Sequence, residues 1–465
     1  PLPRPDHPAG GADDKRKYEE RIMSDFMRSL CKIALPVTLQ SMLQSSFSMI
    51  DQVMIGQLGE TGIAAVGLCG NFSLIFSVML GAVSTVAGIL IAQYLGAGEQ
   101  KEAWRSLDVS LLWGMVLSGL FMVAAVCFPE GILGLYTRDL DIIHSGARYF
   151  PLIGLSYVPM ALSALLSSWM RCKEQATVPF AASLGAVAVN TGLNYLLIFG
   201  KLGLPKMGIR GAALATLASQ VVNFLFILLG FVLLEKKEGQ KPIWSLRFEK
   251  LTHREYMMMI LPILVSEFLW SLGQNVESAV YGHLGSGSLA AYTLTCPVQG
   301  LMVGALSGLS AAAGVLIGKR LGQKNYDKAY SESKKILLSG LLGAAAVSAG
   351  LIALSGAYTG LYRVDTAVQQ LGKTLLTVFA LYAPVKVQNM ILGGGILRSG
   401  GNTRLIMTID ILGTWLVGIP LCLFAAYVLH WGIVGVYALL TSEELFRLAV
   451  SLAVFKKKTW MVSLA

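Results

Sequence analysis

Long apolar stretches, separated by short polar connections, follow one another along almost the whole chain. A helix that crosses a lipid bilayer needs about 20 mostly apolar residues, and twelve stretches reach that length. The pattern therefore predicts an all-α polytopic membrane protein with twelve transmembrane helices. The predicted spans lie near residues 30–57, 63–93, 106–129, 143–167, 176–199, 211–234, 256–284, 289–318, 335–357, 370–396, 405–428 and 432–455.

The first six spans repeat as the second six. A shift of 226 residues aligns Leu35–Gly98 with Leu261–Lys324 without a gap. Because six is an even number, both copies enter the membrane in the same orientation, as parallel repeats do in transporters. We therefore predict two pseudo-symmetric six-helix lobes around a central cleft. Residues that recur in both copies include Pro36 and Pro262, Gly56 and Gly282, Gly88 and Gly314, and Gly96 and Gly322.

The longest polar connection lies between the sixth and seventh spans and divides the chain. We expect a hydrophilic amino-terminal tail (residues 1–28), an N-lobe (29–235), an inter-lobe linker (236–255) and a C-lobe (256–465). Within the linker, Thr252 and Glu255 have the spacing of a helix-capping box. They are expected to mark the start of the seventh helix.

The composition excludes most soluble classes of protein. Charged residues make up 14% of the chain and apolar residues 54%, whereas a soluble domain has roughly 25% charged residues. Most of the 37 lysine and arginine residues fall in the connections that lie on one side of the membrane if the amino terminus is cytoplasmic. By the positive-inside rule, we predict a multi-pass protein of the cell membrane with both termini in the cytoplasm. The net charge of +10 then reflects orientation, and no nucleic-acid partner is expected.

Polar residues inside the N-lobe spans predict a cation-coupling site. Gln40, Gln44 and Asp51 share one face of the first helix, and an acid at that depth is costly unless it has a function or a partner. We expect Asp51 to bind the coupling cation together with Gln44 and the neutral groups Asn190, Asn194 and Thr216. The alternative is that these groups only hold the helices together by hydrogen bonds.

Polar residues inside the C-lobe spans divide into two predicted sets. The repeat places Glu277 at the position of Asp51. Lys386 needs a carboxylate partner, which Glu267 or Glu277 could supply, either as a fixed ion pair or as one that the substrate opens. The set that we expect to line the substrate cleft comprises Glu267, Gln274, Glu277, Tyr281, Tyr292 and Lys386. The set that we expect to form a structural polar network comprises Asp410, Glu443, Glu444 and Arg447, in which Glu443 and Arg447 are an i, i+4 pair.

Several short motifs resemble the prokaryotic type of the multidrug and toxic compound extrusion (MATE) family. The resemblance runs from about residue 29 to the end of the sequence. The motifs are Leu35-Pro36, Met49-Ile-Asp51-Gln-Val-Met-Ile-Gly56-Gln-Leu-Gly59, Asn190-Thr-Gly-Leu-Asn194, Gly208-Ile-Arg-Gly211 and Arg398-Ser-Gly-Gly-Asn-Thr403.

The resemblance implies a transporter that exports mostly cationic, amphipathic compounds in exchange for H⁺ or Na⁺. It implies that Asp51 is the cation site of the N-lobe and that Pro36 bends the first helix. The family's fifth-helix Asn and Asp pair falls on Asn190 and Asn194, so an amide replaces the second acid here. A seventh-helix glutamate couples ions in some members, and the corresponding Glu267 lies closer to Pro262 than that residue does in the family.

We therefore expect a secondary active antiporter, which is not an enzyme and works by alternating access as a monomer. Its partners would be small cationic amphipathic compounds and the lipid bilayer, with no cofactor beyond the coupling ion. One alternative is a lipid-linked saccharide flippase of the same superfamily, for which a more cationic cleft would be expected. A membrane-embedded enzyme or receptor is the other, but the spans contain no His/Asp or His/Cys catalytic arrangement, and the sequence has no phosphate-binding loop of the GxxxxGK[ST] type.

Overall fold

Every regular element in the described part of the chain is helical. The computed structural model describes residues 12–57, 59–203, 205–239, 252–360 and 364–465, except for the side chains at 12–24, 47–53, 60 and 286. The twelve principal helices are α1 (Ala12–Gly56), α2 (Glu60–Ala97), α3 (Gln100–Cys127), α4 (Leu140–Cys172), α5 (Thr177–Phe199), α6 (Ile209–Glu238), α7 (His253–His283), α8 (Ser286–Gly322), α9 (Tyr326–Thr359), α10 (Thr366–Gly400), α11 (Thr403–Val428) and α12 (Ile433–Thr441 with Glu443–Lys457).

These helices match the twelve predicted spans one for one. Within the described residues, ten of them are long and apolar enough to cross a membrane. The other two are α1, which begins at Ala12 inside the predicted hydrophilic tail, and α12, which is interrupted at Ser442. Large apolar side chains such as Leu120, Leu229 and Leu342 are more than half exposed on the outside of the bundle. An exposed apolar belt of this kind is what a lipid-facing surface requires.

The predicted capping box at the start of α7 is confirmed. The Thr252 hydroxyl accepts a hydrogen bond from the backbone N–H of Glu255 (3.2 Å), and the Glu255 carboxylate accepts one from the backbone N–H of Thr252 (2.8 Å). The carboxyl end of α2 is capped by Gly98, which directly follows Ala97 and has a φ of 77°, a conformation that favours glycine. Local chemistry therefore sets these helix ends.

The helices pack as two lobes, α1–α6 and α7–α12. We call one face of the bundle the inner face. The odd-numbered helices begin at this face, and the even-numbered helices end there. One apolar core spans both lobes near that face and includes Leu30, Leu90 and Trp169 of the N-lobe with Leu316 and Ile396 of the C-lobe. Two further cores lie toward the opposite face, one in each lobe. The lobes are thus joined at their inner halves and have separate cores in their outer halves.

Small residues bring the lobes together. Gly308 of α8 lies directly against the Ala34 carbonyl group of α1. Slightly deeper in the bundle, Thr38 donates a hydrogen bond to the Ala305 carbonyl oxygen (3.1 Å) and Ser307 donates one to Ser41 (3.0 Å). This α1–α8 contact extends from the inner face to the middle of the bundle.

The end of α10 is not a regular α-helix. Eight residues, Met390–Leu397, form π-helical turns, and Arg398–Gly400 close the helix with a 3₁₀ turn. Gly393, Gly394 and Gly395 lie in this segment. Wide turns of this type occur frequently at functional sites, and Arg398, which follows them, lines the space between the lobes.

Candidate functional site

The N-lobe holds a buried cluster of amides and hydroxyl groups where α5 meets α6. Asn194 donates a 2.6 Å hydrogen bond to the side-chain oxygen of Asn190. Asn190 in turn donates to Thr216 (3.4 Å) and Ser219 (3.3 Å). Both asparagines are buried. The structure therefore brings together the predicted Asn190, Asn194 and Thr216 and adds Ser219, which the sequence analysis missed because serine is common in membrane helices.

A cavity of about 440 Å³ opens beside this cluster and is lined by Gln40, Gln44, Asn190 and Ser219. Gln40 donates a hydrogen bond to Ser183 of α5 (2.7 Å). The polar face of α1 thus points into the N-lobe, as its spacing predicted. The backbone of α1 is helical through Asp51, but the side chain of Asp51 lies outside the described residues.

Pro36 occupies an interior position of α1, and its side chain is buried. Proline in a helix interior removes one backbone hydrogen bond and favours a bend. Its repeat equivalent, Pro262, is buried within α7.

In the C-lobe, Lys386 pairs with a partner that we did not predict. Its ammonium nitrogen lies 3.7 Å from the carboxylate of Glu444 of α12, and among the described residues no ion pair within 4 Å joins it to Glu267 or Glu277. The Lys386 side chain is 41% exposed and that of Glu444 is 9% exposed. The expectation was wrong because the register of α10 against α12, which sets this contact, is not encoded in the spacing within one helix.

Arg447 lies at the centre of the other ionic contacts. Its guanidinium is 3.3 Å from Glu443 and 3.8 Å from Asp410, and it donates a hydrogen bond to Thr414. Ser266 of α7 donates to Asp410 (2.7 Å), which ties α7 to α11. The i, i+4 spacing of Glu443 and Arg447 therefore does correspond to an ion pair.

The charged residues of the two predicted C-lobe sets lie together in a single ionic cluster. A cavity of about 310 Å³ is lined by charged residues from both sets and by Arg398, which was in neither. Asn389 also contacts this cluster, since its amide donates a 2.8 Å hydrogen bond to the Glu444 carboxylate. The ionisable residues that line this cavity are Glu267, Lys386, Arg398, Asp410, Glu444 and Arg447.

Glu277 lies deeper in the C-lobe and is buried. Its carboxylate accepts a hydrogen bond from Gln274 (3.1 Å). Next to it, Tyr281, Tyr292 and Tyr437 form an aromatic cluster with ring centroids 4.7–6.4 Å apart. Tyr281 is fully buried and contributes to the packing of the C-lobe rather than to an open surface, whereas Tyr292 is partly buried against the same core.

The C-lobe cluster carries more acids than bases. It contains the five acids Glu267, Glu277, Asp410, Glu443 and Glu444, and the three bases Lys386, Arg398 and Arg447. Buried charges of one sign without partners are strongly unfavourable. An excess of acids in this environment therefore favours binding of protons or other cations.

The match to a family model agrees with the repeat and with this architecture. The MatE family model matches the chain twice, over residues 36–196 and 262–424, once in each lobe. The chain belongs to the MatE family. Membership makes it a multi-pass membrane transporter rather than an enzyme, and it has the twelve helices in two pseudo-symmetric lobes that the repeat predicted.

Relatives from several bacteria match the chain over nearly its full length. It is 24% identical to the protein named "Probable multidrug resistance protein NorM" of Thermotoga maritima, covering 94% of this chain and 93% of that protein. It is 28% identical to a protein of the same name from Bradyrhizobium diazoefficiens, covering 90% of each. Among solved structures, the Vibrio cholerae MATE transporter VcmN in its bent form superimposes with a TM-score of 0.84 at 17% identity, covering 94% of this chain and 97% of that one.

Proposed function

We propose that the protein is a secondary active antiporter of the cell membrane that exports small amphipathic, mostly cationic compounds in exchange for H⁺ or Na⁺. The observation that carries this proposal is the MatE family match in both lobes. Relatives named as multidrug resistance proteins support a broad substrate range. The protein acts as a monomer without a cofactor, and both termini lie in the cytoplasm, which makes the inner face the cytoplasmic one.

The N-lobe supplies the coupling site in this proposal. Asp51 is the only acid on the polar face of α1, and its neutral partners are the hydrogen-bonded amides and hydroxyl groups of α5 and α6. Oxygen atoms from amides and hydroxyl groups suit Na⁺ as ligands, and a carboxylate also binds H⁺ in surroundings of low dielectric constant. Both coupling ions are therefore compatible with this set of groups.

The C-lobe cluster supplies the charge that attracts a cationic substrate. Its acids outnumber its bases, and Glu267 and Asp410 line an accessible cavity. Lys386 is the most exposed base in the cluster, at 41%. A cationic substrate therefore competes with Lys386 for Glu444.

The lobes would rock against each other to expose the cleft to one side at a time. In the conformation described here, the inner halves are joined and the cores of the outer halves are separate. A ligand shifts such an equilibrium only if its affinity differs between the two states. Cation binding at Asp51 must therefore favour one packing of α1 over the other.

Efflux from proteoliposomes tests the proposal. The purified chain is reconstituted with a fluorescent cationic dye, and a Na⁺ gradient and a pH gradient are imposed one at a time. We expect dye movement under at least one gradient, and we expect Asp51→Asn to abolish gradient-driven movement while expression stays near that of the wild type.

Two results would contradict the proposal in different ways. Dye movement that ignores both gradients excludes antiport with these ions. Efflux that is driven by a gradient and persists in the Asp51→Asn variant removes Asp51 from the coupling site but leaves the antiporter in place.

A further inference from the structure

A third cavity, of about 430 Å³, lies between the lobes on the axis that relates the two repeats. Its lining consists largely of pairs that the repeat makes equivalent. Residues of the N-lobe and their C-lobe counterparts meet there at the same depth. The clearest pairs are Ser84 with Ser310, Gly88 with Gly314, and Arg171 with Arg398.

The two arginines are the charged residues that the described structure places on this lining, and no acid accompanies them there. Arg171 donates a hydrogen bond to Ser168 (3.3 Å). The Nε atom of Arg398 is buried without a hydrogen-bond partner among the described residues. Among the residues that the structure describes, no carboxylate lies within 4 Å of either guanidinium group as an ion-pair partner. Two guanidinium groups therefore line one cavity that has no acid on its wall, while Arg171 also borders the N-lobe cavity and Arg398 the ionic cavity of the C-lobe.

Two arginines on the wall of one cavity suit an anion. Arginine presents paired N–H donors that match the oxygen atoms of a carboxylate or phosphate. Ser84, Ser307 and Ser310 line the same cavity and make its wall polar, although each hydroxyl group already donates a hydrogen bond within the protein. The volume lies within the range of small-molecule sites.

We propose that Arg171 and Arg398 together form an anion-binding site that takes one carboxylate or phosphate group of a ligand lodged between the lobes. The inference rests on the proposed function in treating this cavity as part of the route along which compounds pass. It adds a negatively charged group to the ligands that the central cleft accepts. Since one arginine comes from each lobe, the bound anion also links the two lobes.

Binding measurements on the purified full chain in neutral detergent test this site without any gradient. The probes are dansylglycine, which carries one carboxylate, and dansylglycinamide, its neutral amide. Equilibrium dialysis against empty micelles corrects for partitioning into detergent. We expect the wild type to bind the acid at least tenfold more tightly than the amide.

Substitutions then locate the site. Arg171→Gln and Arg398→Gln should each weaken binding of the acid about tenfold and leave the amide unchanged, whereas Arg171→Lys should keep part of the preference because lysine retains the charge but not the paired donors. Arg404→Gln serves as the matched control, because Arg404 is exposed at the start of α11 and does not line the cavity.

A competition arm distinguishes the source of the anion. Displacement of dansylglycine by short-chain phosphatidic acid assigns the site to a lipid phosphate, and lack of displacement assigns it to a small-molecule carboxylate. Equal wild-type affinity for acid and amide, or equal losses for both probes in the glutamine variants, overturns the proposal. Because no transport is measured, a failed antiport assay leaves this result interpretable.

Discussion

Gly96 of α2 lies directly against the backbone of Lys319 of α8, so closely that a Cβ atom at position 96 would overlap the Lys319 carbonyl group. The repeat produces the same contact a second time, because Gly322 lies against the backbone of Gln93 in the same way. Between them, Ala92 packs on Gly318, its own repeat equivalent. The symmetry axis of the two lobes therefore passes through a glycine contact near the inner face.

Larger residues at these glycines should open the inner face. Overpacking a tight contact costs roughly 1–3 kcal/mol, so Gly96→Leu or Gly322→Leu should favour the state in which α2 and α8 separate. We expect Ser310→Cys, placed in the inter-lobe cavity, to react about tenfold faster with an impermeant maleimide added from the inner side. Labelling of the native cysteines is subtracted with the parent chain.

A matched control for this prediction is Gly119→Leu in α3, where a Cβ atom meets nothing within 4 Å. It should leave the labelling rate unchanged. Equal labelling rates in the Gly96→Leu, Gly322→Leu and parent chains would show that the glycine contact does not control access.

Sequence patterns predicted the helices and the two lobes because both follow from the order of residues along the chain and need no knowledge of how the helices pack. The length of the apolar runs gave twelve helices, and the i, i+4 spacing gave the contact of Glu443 with Arg447. The pairing of Lys386 with Glu444 depends instead on how α10 faces α12, which no single-helix pattern encodes.

Arg171 and Arg398 illustrate a second limit of the sequence. Both lie just beyond the predicted spans 143–167 and 370–396, in connections that the positive-inside rule places in the cytoplasm, but they line the space between the lobes. π-Helical turns come directly before Arg398, and a run of three glycines was the one sequence signal of that irregularity. Met170-Arg171 recurs as Leu397-Arg398 at nearly the same offset as the rest of the repeat. This match could have indicated that the two arginines meet between the lobes.

Arg447 should matter more for stability than Lys386. The Arg447 side chain is 12% exposed and faces Glu443 and Asp410, so Arg447→Met leaves the buried Glu443 and the half-buried Asp410 without this partner. Breaking a buried pair in this way costs about 3–5 kcal/mol. Lys386 is 41% exposed, and Glu444 keeps the hydrogen bond from Asn389 when the lysine is removed, so Lys386→Met should cost less than Arg447→Met.

Thermal unfolding of the purified variants in one detergent measures this order. Arg447→Lys should recover part of the loss, because it restores the charge without the paired donors. A Lys386→Met variant that unfolds at a temperature as low as Arg447→Met would show that the exposed pair is also a structural element.

A second carboxylate in the N-lobe should strengthen cation binding. Asn194 is buried and bonded to Asn190 (2.6 Å), so Asn194→Asp places an acid inside the amide cluster. Charges a few ångströms apart at a protein site interact by several kcal/mol, and we expect the cation concentration for half-maximal efflux to fall about tenfold.

The control for this change is Asn275→Asp, because Asn275 is exposed on α7 and, among the described residues, donates its side-chain hydrogen bond to the Ser271 carbonyl oxygen of its own helix. It makes the same chemical change without entering the cluster. An Asn194→Asp variant whose half-maximal cation concentration equals that of the wild type would separate the amide cluster from ion coupling.

Gln93 should stabilise the contact between the lobes at the inner face. Its side chain is fully buried, donates to the carbonyl oxygens of Ser399 (2.7 Å) and Val462 (3.3 Å), and accepts a hydrogen bond from the backbone N–H of Leu464 (2.6 Å). It thereby ties α2 of the N-lobe to the end of α10 and to the segment after α12. Gln93→Leu keeps a similar volume but leaves these backbone groups without their partner, which costs about 1–3 kcal/mol of stability.

We expect the Gln93→Leu variant to show faster hydrogen exchange at residues 460–465 and faster inner-side labelling of the cysteine in Ser310→Cys. The control Gln370→Leu, at an exposed position of α10, should change neither. Unchanged exchange in the Gln93→Leu variant would show that apolar packing alone, such as that of Trp460, holds this segment between the lobes.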